Sequence, residues 1–299
     1  MADIAVRPAQ ADDYEAVAAF TADTWQRLDG DYIPEVFDEW VASDGPTQRT
    51  LVATVEDRPV GLCQGVLLSE DEAWAQGMRV DPEYRGRDIA RRLVTGVFEW
   101  AADAGATVCR NMVFSWNEAG LGLSRAVGFE PLASFRWLEP TPDADADCGL
   151  AVDSTPDAAW RGYRRSDACR RLHGLGLDTD EPWALAELTR ERLAAVERPL
   201  VVADADHIRG VSYRVRTTDE ETDDGESVSR AEYGVGAWND AEALSALSAA
   251  VARDAAAAGA DRTRLLVPET PRHISDAAAV GVAAADAPDF VLERELTRY

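Results

Sequence analysis

The chain alternates short apolar runs with longer stretches of helical period, and that alternation predicts its elements. Residues 4–6 (Ile-Ala-Val) read as a strand, and residues 11–28 carry apolar positions at helical spacing. Residues 34–42 form a second helix, with Pro34 in the first turn, where a missing N–H costs nothing. Residues 49–68 read as two strands around a turn at Asp57-Arg58-Pro59, and residues 73–80 as a third strand. A helix then runs from Ile89 to a closing glycine, Gly105. After it come a strand (107–114), a helix ending at Gly128 and a strand (133–140).

Residues 140–149, rich in Pro, Asp and Ala, mark a linker. The order then repeats: strand-turn-strand at 199–215, a strand at 229–238, a helix closed by Gly259, and strands at 261–268 and 289–299. Residues 277–282 echo residues 125–129, Trp160 falls where Tyr14 does, and Leu93 and Gly105 each recur 154 positions later as Leu247 and Gly259. A period of one whole domain points to internal duplication rather than a solenoid. The expected domains are 1–140 and 150–299, with 141–155 holding the linker and the start of the second.

Charge changes the picture. The net charge is −25, from 55 acidic and 30 basic residues, and every basic residue is arginine. Such a surface repels nucleic-acid phosphates. Acid spread along the whole chain fits a protein hydrated in concentrated salt, as in halophiles; the stretch 217–226 reads as a solvated acidic loop between strands. Cys63, Cys109, Cys148 and Cys169 have no metal spacing, and the first two read as small buried residues. His173, His207 and His273 show no triad or ligand spacing, so no metal site is expected. No window reaches the roughly 18 apolar residues of a membrane span, and the first ten residues lack a basic-then-apolar leader. A soluble cytoplasmic protein, monomer or homodimer, with no nucleic-acid or membrane partner, is expected.

The stretch VDPEYRGRDIARRL, residues 80–93, carries the chemistry. A strand feeds a turn and then a helix, whose N-terminus offers unpaired N–H groups and a partial positive charge. Arg85, Arg87 and Arg91 add charge, and Gly86 lets backbone approach a ligand. A pyrophosphate suits this loop. It is neither the phosphate-loop nor the dinucleotide pattern.

Here the sequence resembles the GNAT superfamily of acetyl-CoA-dependent N-acetyltransferases. Residues 80–90 match the family's Arg/Gln-x-x-Gly-x-Gly/Ala loop. Residues 117–129 (NEAGLGLSRAVGF) match its Asn-x-x-Ala-x-x-Leu-Tyr-x-x-x-Gly-Phe. The resemblance implies an α/β (α+β) fold of two tandem GNAT-like domains, each a mixed, mostly antiparallel sheet flanked by helices. It implies acetyl-CoA as cofactor and transfer of acetyl to a small-molecule or peptide amine. It places Met78, Arg79 and Val80 on the strand that lends backbone groups to the acetyl and pantetheine arm. Arg85, Gly86, Arg87, Asp88, Ile89, Ala90 and Arg91 would surround the pyrophosphate. Asn117 would contact the cofactor arm, or is a plain helix N-cap.

Two positions depart from the family. Asp88 replaces the loop's central glycine; an acid there is also favoured simply by the first turn of a helix. Ser124 stands where the family's tyrosine protonates the leaving thiolate, and Tyr84 is the substitute phenol. Glu35, Glu39, Glu70, Asp71 and Glu72 are the candidate bases, with nothing to choose between them. The second half lacks the arginine turn, and Asn239 or Asp240 can cap its helix, so it is expected to hold no CoA. Its expected job is to pack on the first half and wall the acceptor cleft. A non-catalytic CoA or acyl-CoA binding protein is the alternative function.

Overall fold

The computed structural model describes residues 4–22, 24, 30–205, 207–221 and 227–296. In chain order the first elements are β1 (Ile4–Pro8), α1 (Tyr14–Thr21), α2 (Ile33–Ser43), β2 (Gln48–Val55), β3 (Arg58–Leu67), β4 (Glu72–Val80), α3 (Ile89–Ala104), β5 (Val108–Phe114), α4 (Glu118–Ala126) and β6 (Glu130–Leu138). Then follow β7 (Ala151–Asp153), α5 (Pro156–Arg165), α6 (Asp167–Arg171), β8 (Leu175–Leu177), β9 (Leu185–Glu187), α7 (Arg190–Ala195), β10 (Pro199–Asp204), β11 (His207–Glu221), β12 (Ser227–Val235), β13 (Ala237–Trp238), α8 (Ala241–Ala257), β14 (Arg262–Pro268), α9 (Pro271–Ala279) and β15 (Asp289–Glu295).

Two compact units result, and neither is continuous in the chain. One holds residues up to Val113, 117–131 and those from Leu292 on; the other holds 114–116 and 132–291. The boundary expected at residue 140 follows chain order, whereas the units exchange their last strands. Leu138 of β6 pairs with Leu265 of β14 inside the second unit. Leu296, just past β15, donates to the Thr107 carbonyl in the first unit (2.7 Å). There Arg110 joins Glu293 at 2.6 Å.

In the first unit the strand order is β1-β2-β3-β4-β5. All pairs are antiparallel except β4 with β5, which is parallel. Amphipathic α3 buries Ile89, Leu93, Val94, Val97, Phe98 and Ala101, each large side chain contributing about 1.5–3 kcal/mol. Gly61 and Gly65 face it: a Cβ on Gly61 would lie 3.0 Å from Ile89 and Leu93, and one on Gly65 2.7 Å from Val97. The other face of the sheet carries α1 and α2, where Val17, Phe20, Ile33 and Phe37 pack on Val52 and Leu62. As expected, Gly105 ends α3 with a positive φ of 115°.

The second unit orders its sheet β6-β14-β12-β11-β10-β7. Its core gathers around α8, whose alanines and leucines are buried on most sides. Residues 140–149 carry no helix or strand, and Asp143 donates to the Ala252 carbonyl at 3.1 Å. A buried ion-pair set crosses this sheet. Glu232 accepts from Arg216 (3.0 Å) and pairs with Arg264. The Arg264 guanidinium lies 4.0 Å from the Trp183 ring centroid and 4.4 Å from that of Trp137. Removing such a carboxylate would strand two buried cations, at a cost of about 3–5 kcal/mol.

One element expectation is corrected. The acidic stretch is not a loop throughout: residues 217–221 continue β11 and pair with β12 from Thr217↔Ala231 to Glu221↔Ser227. Thr217 and Thr218 suit strand, and the exposed Asp219 is compatible with a hairpin. Residues 277–279 close α9, in keeping with their expected echo of the end of α4. Residues 222–226 of the acidic run and residues 23 and 25–28 of the long first helix lie outside the described residues.

All four cysteines are buried and free. No helix among the described residues is long and apolar enough to cross a membrane.

Asp289 is the buried carboxyl with a measurable signature. Burial pushes it up to about 6 from an ordinary 3.8, and the nearby Arg264 charge opposes that only in part. A carboxyl whose folded pKa is raised binds its proton more tightly in the folded state, so it lowers stability as pH rises from about 4 to about 6 and has no further effect above. Unfolding midpoints measured across that range should fall more steeply in the wild type than in Asp289→Asn. Equal slopes would refute this assignment.

Candidate functional site

The site grows from the way β4 is held. On one side β4 pairs with β3 from Leu67↔Ala73 to Gly61↔Val80. On the other side its parallel pairing with β5 covers only Glu72↔Val108, Ala73↔Cys109 and Trp74↔Arg110. Past Trp74, β4 continues to Val80 and β5 to Phe114 without further registered pairs, so the two strands part.

A bulge lies along the parted stretch. Between Leu62↔Arg79 and Gln64↔Gln76, two β4 residues, Gly77 and Met78, oppose Cys63 alone. Gly77 has φ +65°, and a Cβ there would meet the Trp40 ring at 2.7 Å, so only glycine fits. Arg79 lies on the same face. Its guanidinium is buried, bound to Asp31 at 2.6 and 3.0 Å, and lies 5.4 Å from the Tyr32 centroid. Its side chain is committed to the fold.

After Val80 the chain turns through Asp81, whose buried carboxylate accepts from the Glu83 N–H at 2.9 Å. Gly86 takes φ +75° with open space where a Cβ would be. Asp88 takes φ +66°, also left-handed, immediately before α3. That explains the glycine of the family pattern, since this backbone needs glycine or a tolerant Asp or Asn. Asp88 is not in the first helical turn and does not cap the helix. Its exposed carboxylate instead clasps Arg91 at 2.7 and 2.9 Å, and those hydrogen bonds hold its pKa below the usual range.

The α3 amides begin at this turn. Arg92 N–H donates to the Asp88 carbonyl at 3.2 Å, leaving the N–H groups of Ile89, Ala90 and Arg91 ahead of the first helical bond. Arg85 and Arg87 are exposed, and neither forms an ion pair among the described residues. Arg87 lies 4.9 Å over the Tyr84 ring, so Tyr84 packs beside the loop. Turn amides, a glycine without a Cβ and two exposed guanidinium groups, each held only by a long bond to a backbone carbonyl (3.4 Å), make a set that fits a pyrophosphate.

The second motif is placed differently. Asn117 caps α4, its Oδ1 accepting from Gly120 N–H at 2.9 Å. Ser124 is buried on α4, and its hydroxyl accepts from Asn111 Nδ2 of β5 at 3.0 Å. It ties helix to strand. Among the carboxylates, Glu72 is buried against Arg110, while Glu35, Glu39, Glu70 and Asp71 are exposed. His273, which burial pushes down to about 4, shares a 2.7 Å hydrogen bond with Thr270 in the second unit. Among the described residues no three metal-ligating side chains gather. The sequence reading passed over Thr50, Gln64 and Gln76, three polar residues in otherwise apolar strands that stand in one row. Their polarity in buried strands was the available signal.

The corresponding place in the second unit is closed. Parallel β12 and β14 pair from Arg230↔Arg262 to Val235↔Leu266, the end of β12. The next N–H, of Gly236, donates to Leu266 at 2.7 Å. The Tyr213 ring lies on Gly234, where a Cβ would fall 2.0 Å from it. Asp240 caps α8 through Ala243 N–H (3.0 Å) and binds Arg209, which also holds Glu242.

Against known proteins, the acetyltransferase (GNAT) family model matches residues 12–129. Over 59 residues the chain is 34% identical to thialysine N-epsilon-acetyltransferase of Bos taurus, a match spanning 20% of this chain and 35% of that protein. The crystal structure of a GCN5-related N-acetyltransferase from Sphaerobacter thermophilus superposes with a TM-score of 0.61 at 14% identity, covering 99% of this chain and 96% of that one. A tandem GNAT protein from the clavulanic acid biosynthesis pathway gives 0.57 at 16% identity, covering 99% and 100%. The chain therefore has the tandem GNAT fold along its length, and its residues 12–129 carry the match to the GNAT acetyltransferases, a family that uses acetyl-CoA.

Proposed function

We propose that the protein is an acetyl-CoA-dependent N-acetyltransferase acting on a primary amine, with its chemistry confined to the first unit. The observation that carries this is the parting of β4 from β5 beyond Trp74↔Arg110, with the α3 amides, Arg85 and Arg87 at the open end. The amides of residues 87–91 and the two arginines hold the pyrophosphate. Backbone groups at the bulge, Gly77 and Met78, take the arm and polarise the acetyl carbonyl. Acetyl-CoA supplies an activated acyl group. An unprotonated amine nitrogen forms the new bond to the acetyl carbon as the bond to sulfur breaks; sulfur takes the electron pair and the amine's surplus proton goes to solvent.

Ser124 is buried and accepts from Asn111, and a serine hydroxyl is too weakly acidic to replace a phenol, so in this reading it supplies no acid. General-acid help is typically worth 10² to 10⁴ in rate, and a thiol of pKa near 8.5 leaves without it. The same feature supports the second reading, a CoA-binding protein without turnover. The name of the bovine relative, an epsilon-amine acetyltransferase, supports a primary amine as acceptor. The second unit binds no CoA in this reading: paired strands, Tyr213 and the Asp240–Arg209 pair occupy the place. The surface acid is solvation for concentrated salt.

Titration of acetyl-CoA into wild type and Asp88→Gly tests the site. Glycine keeps the left-handed turn, removes a negative charge and frees Arg91, so the variant should bind severalfold more tightly, most clearly at low salt. If neither protein binds, both readings fail. Thiol release over an amine panel then separates transferase from binder.

Asn117→Ala removes a cap and should cost about 1 kcal/mol of stability. Unchanged acetyl-CoA affinity would assign Asn117 to the helix alone, and a loss beyond about twofold would add a cofactor contact.

A further inference from the structure

Residues 161–171 (RGYRRSDACRR) hold five arginines and one acid, in a chain whose 55 acidic residues outnumber its 30 basic ones. They lie along α5 and α6 of the second unit. One face of α5 is fixed to the sheet. Ala158, Ala159 and Tyr163 are buried, and the Tyr163 hydroxyl donates to the Leu175 carbonyl at 3.0 Å. A Cβ on Gly162 would fall 2.6 Å from Val211 of β11. Positions three and four apart share a helix face, so Arg161, Arg164 and Arg165 stand together, and all three are exposed.

The carboxylates nearest in sequence are engaged elsewhere. Asp157, in the first turn of α5, binds Arg190 of α7 at 2.8 Å. Asp167 opens α6 and binds Arg170 and Arg171 at 2.9 and 3.4 Å. Arg161, Arg164 and Arg165 form no ion pair among the described residues. The partial negative charge at the C-terminus of α5 favours Arg164 and Arg165 in its last turn. It does not account for Arg161, which meets like charges three and four positions on, an arrangement that weakens a helix. The Arg164 guanidinium lies 5.4 Å from the ring centroid of Trp160, which is half-buried beside it. Arginine and tryptophan are the side chains that most often anchor protein–protein contacts.

We propose that the outer face of α5 is a docking surface for a carboxylate-rich peptide segment of another protein. Arg161 and Arg165 each take a carboxylate through two parallel N–H···O bonds, and Trp160 takes an apolar side chain next to them. The two arginines stand one helical turn apart, about 6 Å, and alternate side chains of an extended peptide recur at about 6.6 Å. Charge complementarity selects an anion, and the surroundings select its kind. A long polyphosphate such as nucleic acid would meet the net charge of −25 beyond the patch, and its hold through counterion release falls steeply with salt. A short acidic segment covers the patch and ends there. Its bidentate bonds act at contact, within the roughly 3 Å screening length of molar salt. The surface lies wholly on the second unit and owes nothing to the acetyl-CoA site of the first.

The test titrates the whole protein into a short fluorescein-labelled peptide of alternating glutamate and alanine, read by anisotropy in dilute and in molar potassium chloride. Wild type should bind, and Arg161→Glu should weaken binding about tenfold or more. That substitution sets a glutamate four residues before Arg165, a favourable helix pair. The variant should therefore unfold no earlier than wild type, so misfolding does not explain its loss. Arg161→Lys keeps the charge, gives up the planar fork and should lose a smaller factor. Arg262→Glu reverses an exposed arginine at the start of β14 and should bind as wild type does. No binding by wild type, or equal losses in Arg161→Glu and Arg262→Glu, overturns the proposal. So does a single-stranded oligonucleotide or a phosphatidylglycerol vesicle that binds through Arg161 as tightly as the peptide. Sedimentation showing that the chain associates with itself through Arg161 would overturn it as well.

Discussion

The site depends on a parallel pairing that stops early. Two strands hydrogen-bonded along their length leave no room between them, because their backbones lie about 4.8 Å apart. β4 and β5 share three registered pairs and then separate. The gap follows from that failure to pair, and the bulge in β4 and the N-terminus of α3 lie along the same stretch. The bulge needs Gly77, and the turn needs left-handed backbone at Gly86 and Asp88. Each of these residues is explained by local geometry before any ligand is considered.

The second unit shows what happens when the pairing completes. Its parallel strands register to the end of β12, Tyr213 lies over Gly234, and the first turn of α8 is satisfied by the protein's own carboxylate. A helix N-terminus binds an outside anion only where no side chain already supplies one. In the first unit Asp88 turns away to Arg91; in the second Asp240 turns in. The two aspartates differ in backbone, left-handed at Asp88 and extended at Asp240, and only the second reaches an amide of its helix.

Arginine is the only basic residue, and its use inside the protein differs from the charge outside. Arg79, Arg110, Arg216 and Arg264 are each largely buried and bound to carboxylates. A planar guanidinium satisfies several acceptors at once and stacks on indole rings, as Arg264 does between Trp137 and Trp183, which a compact, strongly hydrated ammonium does poorly. The acidic excess therefore coexists with an interior framework of ion-paired arginines.

The sequence by itself determined the element order, the doubling of that order, the loop at residues 80–93 and the end of α3 at Gly105. Each is written in local period or in residues such as glycine whose backbone preference is intrinsic. It also marked Asp88 as out of place. Only the tertiary structure decided what depends on partners far along the chain: the exchange of β6 and β15, the parting of β4 from β5, the burial of Ser124 against Asn111, and the row of Thr50, Gln64 and Gln76. The N-cap role of Asn117 was legible, and its bond to the Gly120 N–H bears that role out. Strand register is a long-range property, set by which hydrogen-bond ladders can close together, and no local window of sequence contains it.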